Sequence, residues 1–237
     1  MFRLGVLRSM TRTRVAALAL GVGINMAATV LLFGQAGTPH PVSGRVIAGV
    51  MGHEGAPWLD RPEREAEERP SLAVQGLKLE PGMVVADFGA GSGYYTERLA
   101  RAVGPTGRAL AVDLQPEMLQ LVGTRAKKLG LTNIELVRST PDDPRLPPGG
   151  VDLILMVDVY HELAAPQRVL RAMKTSLSPR GRIAILEFRK EDPKVPIREE
   201  HKMSVAQAVQ EFGAEGYVLD RRVDSLPWQH LLIFRSR

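Results

Sequence analysis

The segment VVADFGAGSG, residues 84–93, spaces Asp87, Gly89, Gly91 and Gly93 as D-x-G-x-G-x-G. Glycines between the end of a strand and the start of a helix let the backbone take left-handed angles and bring its N–H groups against a ligand. A dinucleotide loop, G-x-G-x-x-G, needs a glycine where Tyr94 stands. Asp87 also puts a carboxylate where a pyrophosphate would have to lie. That disfavours a nicotinamide dinucleotide and suits a ligand carrying ammonium and sulfonium cations. Twenty residues past Gly93, Asp113 ends a second apolar run, where a carboxylate can accept both hydroxyls of a ribose. Asp113 therefore marks an adenosyl ligand, and Asp87 with the third glycine selects which kind.

These residues need a sheet to hold them, and the hydrophobic pattern supplies one. Apolar runs at 83–87, 108–113, 133–138, 151–157 and 182–187 predict five strands, and helices are predicted at 71–77, 94–103, 116–129 and 166–177. Strand and helix alternate, which implies a parallel sheet covered on both faces, because crossovers are right-handed. Farther on, 204–215 reads as a helix, and 217–226 and 228–235 read as two β-prone runs hinged at Pro227. The expected fold class is α/β: a Rossmann-like, doubly wound, mostly parallel seven-stranded sheet with an antiparallel C-terminal strand pair. Before it, 37–55 is rich in Gly, Pro and Ser and reads as a linker or an irregular lead-in. WLDRPEREAEERP at 58–70 reads as a charged helix, with Glu63, Glu65, Glu67 and Glu68 on a solvated face. The region 37–70, with Trp58, is expected to be a lid or a brace, and 71–237 the main domain.

The stretches VVADFGAGSGYYTERLA, AVDLQPEML and VDLILMVDVYHEL resemble successive motifs of class I S-adenosylmethionine (SAM)-dependent methyltransferases, and the resemblance covers about residues 79–187. It implies SAM as cofactor, with Gly89, Ala90, Gly91 and Gly93 looping around its methionine portion, Asp113 on the ribose and Leu114 beside the adenine. Asp142, four residues before Leu146-Pro147, matches the acidic position that contacts the adenine amino group, with Asp143 as the alternative. Asp87 and Asp158, at the ends of the first and fourth strands, complete the implied cofactor set. The implied reaction is in-line transfer of a methyl group to a small-molecule acceptor. A non-catalytic SAM-binding module and a nicotinamide-dependent oxidoreductase are the alternatives.

Methyl transfer requires the acceptor to be held against the sulfonium methyl, and a base only if the acceptor must lose a proton. The segment Asp158-Val159-Tyr160-His161-Glu162 follows the fourth strand, at the position that faces the methyl group in this fold. Tyr160 and His161 are its candidates for binding the acceptor or taking a proton, and Glu187, ending the fifth strand, is a candidate acceptor contact whose alternative partners are Arg189 and Arg198. His53, Glu54, His201 and His230 show no helical i, i+4 ligand spacing, so no metal is expected.

Composition limits the remaining possibilities. The net charge is +5, but Arg3, Arg8, Arg12 and Arg14 fall in a leader without acidic residues, and the rest carries +1. A near-neutral body lacks the clustered cations of a nucleic-acid binder, and none is expected as partner. The chain has no cysteine, which excludes thiolate metal sites and thiol nucleophiles. Residues 15–33 are almost wholly apolar behind those arginines, as in a signal peptide or membrane anchor spanning 1–36. The domain is thus expected to be exported or membrane-associated.

Overall fold

The computed structural model describes residues 37–237; the expected leader at 1–36 lies outside them. Alternating apolar runs become the strands β1 (Val84–Phe88), β2 (Arg108–Asp113), β3 (Ile134–Arg138), β4 (Val151–Val157) and β5 (Leu177–Arg189). They pair in parallel, and β7 (Tyr217–Val223) and β8 (Gln229–Ser236) add the antiparallel pair, giving the order β3-β2-β1-β4-β5-β8-β7. An eighth strand, the two-residue β6 (Lys202–Met203), pairs with the end of β5 and had no sequence signal. Strand β5 begins five residues earlier than expected, because its register with β4 shifts between Val151 and Leu153.

Side-chain alternation sends the two faces of the sheet into separate cores. Leu153, Leu155, Ala184 and Leu186 meet α3 (Pro70–Leu77) and α4 (Tyr94–Val103) on one face. Ile154, Met156, Ile183 and Ile185 meet α6 (Pro166–Ser176) and α7 (Val205–Ala214) on the other. The helix limits have local causes. Helix α5 (Pro116–Leu129) starts with proline at its first position and stops at left-handed Gly130. Ser204 and Gln207 close a reciprocal capping box on α7. Among the described residues no helix is long and apolar enough to cross a membrane.

Two expectations for the N-terminal region are corrected. Of the two readings of residues 37–50, the irregular lead-in describes them and the linker does not, because they pack as a strap: His40, Arg45, Ile47 and Ala48 are buried, and Arg45 pairs with buried Glu211 on α7. The charged helix breaks into α1 (Ala56–Leu59) and α2 (Arg64–Glu68), and Glu68 is buried, not solvated. Arg61 and Arg64 both bind its carboxylate, so the pairing carries it inside.

Candidate functional site

The strand order reverses between β1 and β4, and the crevice beyond the carboxyl ends of strands at such a point is where open α/β sheets bind ligands. A cavity of about 670 Å³ opens there. Its floor comes from the strand ends, at Phe88, Asp113, Val157 and Phe188, and its cover from the strap and first helices, at Gly49, Val50, Met51, Trp58, Leu59 and Arg64. Residues of 37–70 thus lie over the cavity, while Arg45 in the same segment is tied to Glu211 on α7.

At one end the glycine loop forms the wall. Gly89 has φ +78°, and a Cβ there would overlap the Val159 side chain; Gly91 has φ +53°, and a Cβ would come 2.7 Å from Leu59. Only glycine fits both conditions, and both residues line the cavity. Asp113 is 6% exposed; its Oδ2 accepts from the Gly91 N–H at 2.9 Å and its Oδ1 from the Gln115 N–H at 2.9 Å. Burial raises its pKa against the pull of those N–H groups. Leu114 and Met118 supply apolar wall, and Ser139, Thr140 and Pro141 face them. Ala90 and Gly93 are not on the wall: Ala90 packs against Ala111 and Val122, and Gly93, at φ +81°, starts α4.

Asp87 lies beneath the loop, not on the cavity wall. It is 1% exposed and accepts from the Thr96 hydroxyl at 2.6 Å, which ties β1 to α4. Burial pushes its pKa up to about 6, despite the Thr96 hydrogen bond. A carboxyl raised in the fold favours the folded state while protonated, and that contribution is lost as pH rises through about 6. Asp87→Asn should therefore unfold at higher urea than wild type above pH 6, by about 1 kcal/mol after the cost of a new amide donor, and lose that advantage near pH 4. Equal urea midpoints at pH 5 and pH 8 would contradict this.

Asp158 lines the cavity in a left-handed conformation, φ 52°, unusual for a non-glycine residue. Its Oδ2 accepts from the buried Gln229 amide at 2.7 Å, while its buried Oδ1 has no hydrogen-bond partner among the described residues. Burial, with the charges of Glu68 and Glu187, raises its pKa well above the carboxylate range. A cationic ligand group nearby would relieve that energy.

The other end of the cavity is built around His161. Its ring is buried, and its Nδ1 lies 2.6 Å from Glu187 Oε2. Burial works against its charged form, but the charge and hydrogen bond of Glu187 outweigh it and raise the pKa. Nε2 faces His201 Nδ1 at 3.0 Å, and Glu162 Oε1 lies 3.7 Å from that Nε2. Burial, reinforced by the charge of Glu187, pushes Glu162 up to about 7. His161, Glu162 and His201 all line the cavity.

Three expected assignments are corrected. The chain turns sharply at Asp158 into a 3-10 turn, Tyr160–Glu162, which sends adjacent side chains opposite ways. Tyr160 goes into the core against Phe212, ring centroids 4.9 Å apart, and does not reach the cavity. Glu187 is fully buried and contacts His161 and the Tyr160 N–H, neither of the two arginines nor the cavity mouth. Asp142 binds Thr140 Oγ1 at 2.9 Å and Arg168 at 2.8 Å and faces a separate surface groove with Asp143. Its neighbours Ser139, Thr140 and Pro141 are the residues of that loop on the wall. Glu162 and His201 line the cavity without a role expected from the sequence, whereas Trp58 and Arg64 belong to the segment expected to be a lid or a brace. Only Glu162 had a usable signal, its place beside His161 at a strand end.

A sheet ending in an antiparallel pair, with its crevice shared between a glycine loop and a buried polar pocket, defines a Rossmann-like methyltransferase domain. The family model described as "Methyltransferase domain" matches residues 79–225, and the chain belongs to that family, for which SAM is the cofactor. The chain is similar to the ubiquinone/menaquinone biosynthesis C-methyltransferase UbiE of Enterobacter sp., 30% identical over 110 residues, 46% of this chain and 44% of that protein. It is 29% identical to the UbiE of Pseudoalteromonas translucida over 129 residues, 54% of this chain and 51% of that protein. The chain thus spans about half the length of the curated relatives it matches. A crystal structure of a SAM-dependent methyltransferase from Aquifex aeolicus superposes with a TM-score of 0.74 at 28% identity, covering 78% of this chain and 98% of that one.

Proposed function

We propose that this protein transfers the methyl group of SAM to a small-molecule acceptor bound in the same cavity. The observation that carries this reading is one cavity with two chemically different ends: Gly89, Gly91 and Asp113 at one, His161, Glu162 and His201 at the other. Its volume, about 670 Å³, falls within the roughly 300–1,000 Å³ range of small-ligand pockets.

The residues present fit SAM. The glycine loop leaves room that any Cβ would fill, and Asp158 Oδ1, without a hydrogen-bond partner among the described residues, is a carboxyl group whose ionised form a bound cation would favour. Asp113 would take the ribose hydroxyls, Leu114 and Met118 would flank the adenine, and Thr140 replaces Asp142 as the polar residue near it. Bound there, SAM supplies an electrophilic methyl group on a sulfonium.

The chain's own part is to position the acceptor and keep water out. Glu187 accepts the Nδ1 proton of His161 and so leaves a lone pair at Nε2 facing the acceptor end. Trp58, Leu59 and the strap cover the opening. Trp58 is 42% exposed, with the Arg61 guanidinium 3.8 Å over its ring. Trp58→Ala should raise KM for the acceptor about tenfold, through lost apolar contact, while unfolding free energy shifts by less than about 1 kcal/mol.

The test is calorimetric titration of the full-length chain with SAM, S-adenosylhomocysteine and NADH, then an acceptor screen read by S-adenosylhomocysteine production. Quinone precursors come first in the screen because the relatives' names concern quinone biosynthesis. Binding of SAM without turnover of any acceptor would favour a binding module; binding of NADH in place of SAM would end this reading.

We further infer from residues 1–36 that the domain is exported or membrane-anchored, since four arginines precede an apolar stretch without acidic residues. Cell fractionation with N-terminal sequencing tests it, and a soluble cytoplasmic chain still beginning at Met1 would refute it.

A further inference from the structure

We propose that His161, Glu162 and His201 form a binding site for one divalent transition-metal ion at the acceptor end of the cavity. Three donor atoms converge there. His161 Nε2 and His201 Nδ1 are 3.0 Å apart, and Glu162 Oε1 lies 3.7 Å from the first and 3.8 Å from the second. A point about 2 Å from all three lies nearly in their plane, the distance at which imidazole nitrogen and carboxylate oxygen bind zinc-like ions. Two imidazoles and a carboxylate select Zn²⁺, Fe²⁺ or Co²⁺ over Mg²⁺ and Ca²⁺, which favour all-oxygen shells.

The surroundings orient the donors as a metal site does. Ionised Glu187 only accepts hydrogen bonds, so at 2.6 Å from His161 Nδ1 it places the ring proton there. Nε2 is then a lone pair aimed at His201 and Glu162, the carboxylate–histidine arrangement that fixes the tautomer of metal ligands. Glu162 and Glu187 place two carboxyl groups beside the imidazoles in an enclosed site, and a divalent ion would balance their charge once both are ionised.

The protein supplies three ligands, and the remaining coordination positions face the cavity, as in open catalytic sites rather than closed structural ones. An oxygen- or nitrogen-bearing acceptor would fill one of them. Ion binding follows from the cluster alone; its role toward the acceptor rests on the methyl-transfer reading. His201 arrives on the connection before β6 and the other two ligands on the turn after β4, so the ion also fastens that connection over the cavity.

The full-length chain, stripped with a chelator, is titrated with Co²⁺ and followed by visible absorption, with SAM titrated separately. One Co²⁺ per chain is expected, with ligand-field bands from nitrogen and oxygen donors. Affinity should fall at least about 30-fold in His201→Ala and in Glu162→Gln, with SAM affinity within about threefold of wild type. His201→Gln, read alongside, covers the case in which one of these variants fails to fold. Failure of the wild-type chain to take up stoichiometric Co²⁺, or uptake that folded variants leave within threefold, would overturn the site. Co²⁺ bound as expected beside absent SAM binding would sustain the ion site and sink the methyl-transfer reading.

Discussion

Asp113→Ala should weaken binding of both SAM and S-adenosylhomocysteine by at least about 100-fold. Two effects combine in that number. A ribose bound at Asp113 would donate to an ionised acceptor, and hydrogen bonds to charged groups are worth about 1.5–3 kcal/mol each, so losing two reaches about 3 kcal/mol or more. The same carboxylate also holds the Gly91 N–H, at 2.9 Å, and the Gln115 N–H, at 2.9 Å, so alanine frees the glycine loop and the start of α5 together. Asp113→Asn keeps the shape and one acceptor oxygen but presents an amide donor to one side, and its loss should be smaller, about 10- to 30-fold. Isothermal titration of both variants, with circular dichroism to check the fold, reads the outcome. An alanine variant within threefold of wild type would place the adenosyl group elsewhere.

The cofactor end was legible because its signals are local. The glycine spacing after 84–88, the acid ending the next strand and the alternation of strand and helix each depend on neighbours within one element, and β2, β4, α4 and α5 fall at the predicted limits. Asp87 shows the limit even there: its position was legible, but its side chain turns beneath the loop to Thr96, which is decided by packing between β1 and α4. The acceptor end depends on long-range contacts. His161 and Tyr160 are equivalent in sequence, and a left-handed Asp158 followed by a 3-10 turn sends one to the cavity and the other to Phe212. His201 arrives from forty residues away on a connection without periodicity, and the nearness of His201 to His161 has no counterpart in spacing. Asp142 was misplaced for a similar reason, since Arg168 on α6 competes for it across the groove. Burial of Glu211 likewise followed from a distant arginine, Arg45, whereas Glu68 is carried inside by the local pairs with Arg61 and Arg64 that patterning as a solvated face overlooked.

Glu211→Ala should destabilise the fold by about 3–5 kcal/mol, the range for removing one partner of a buried ion pair. Glu211 is fully buried on α7; its Oε1 accepts from Arg45 Nε at 2.9 Å and from the Ser43 hydroxyl, and its Oε2 lies 3.1 Å from His40 Nε2. Alanine leaves the buried Arg45 guanidinium without a counter-charge. Arg45 also donates to the His161 carbonyl at 3.0 Å and the Tyr160 carbonyl at 3.4 Å, so it clamps the strap onto the turn that carries the acceptor end. Its displacement should therefore reduce turnover as well as stability, with SAM binding affected less because Asp113 and the glycine loop lie outside this clamp. Urea denaturation at pH 7 reads the stability, and kcat against SAM affinity reads the second effect. The double variant Arg45→Met with Glu211→Leu separates the causes: removing both charges and refilling the volume should recover most of the lost stability. If the single Glu211→Ala variant lost less than about 1 kcal/mol, the strap would be held by apolar contacts at Ile47 and Ala48 and the ion pair would be incidental.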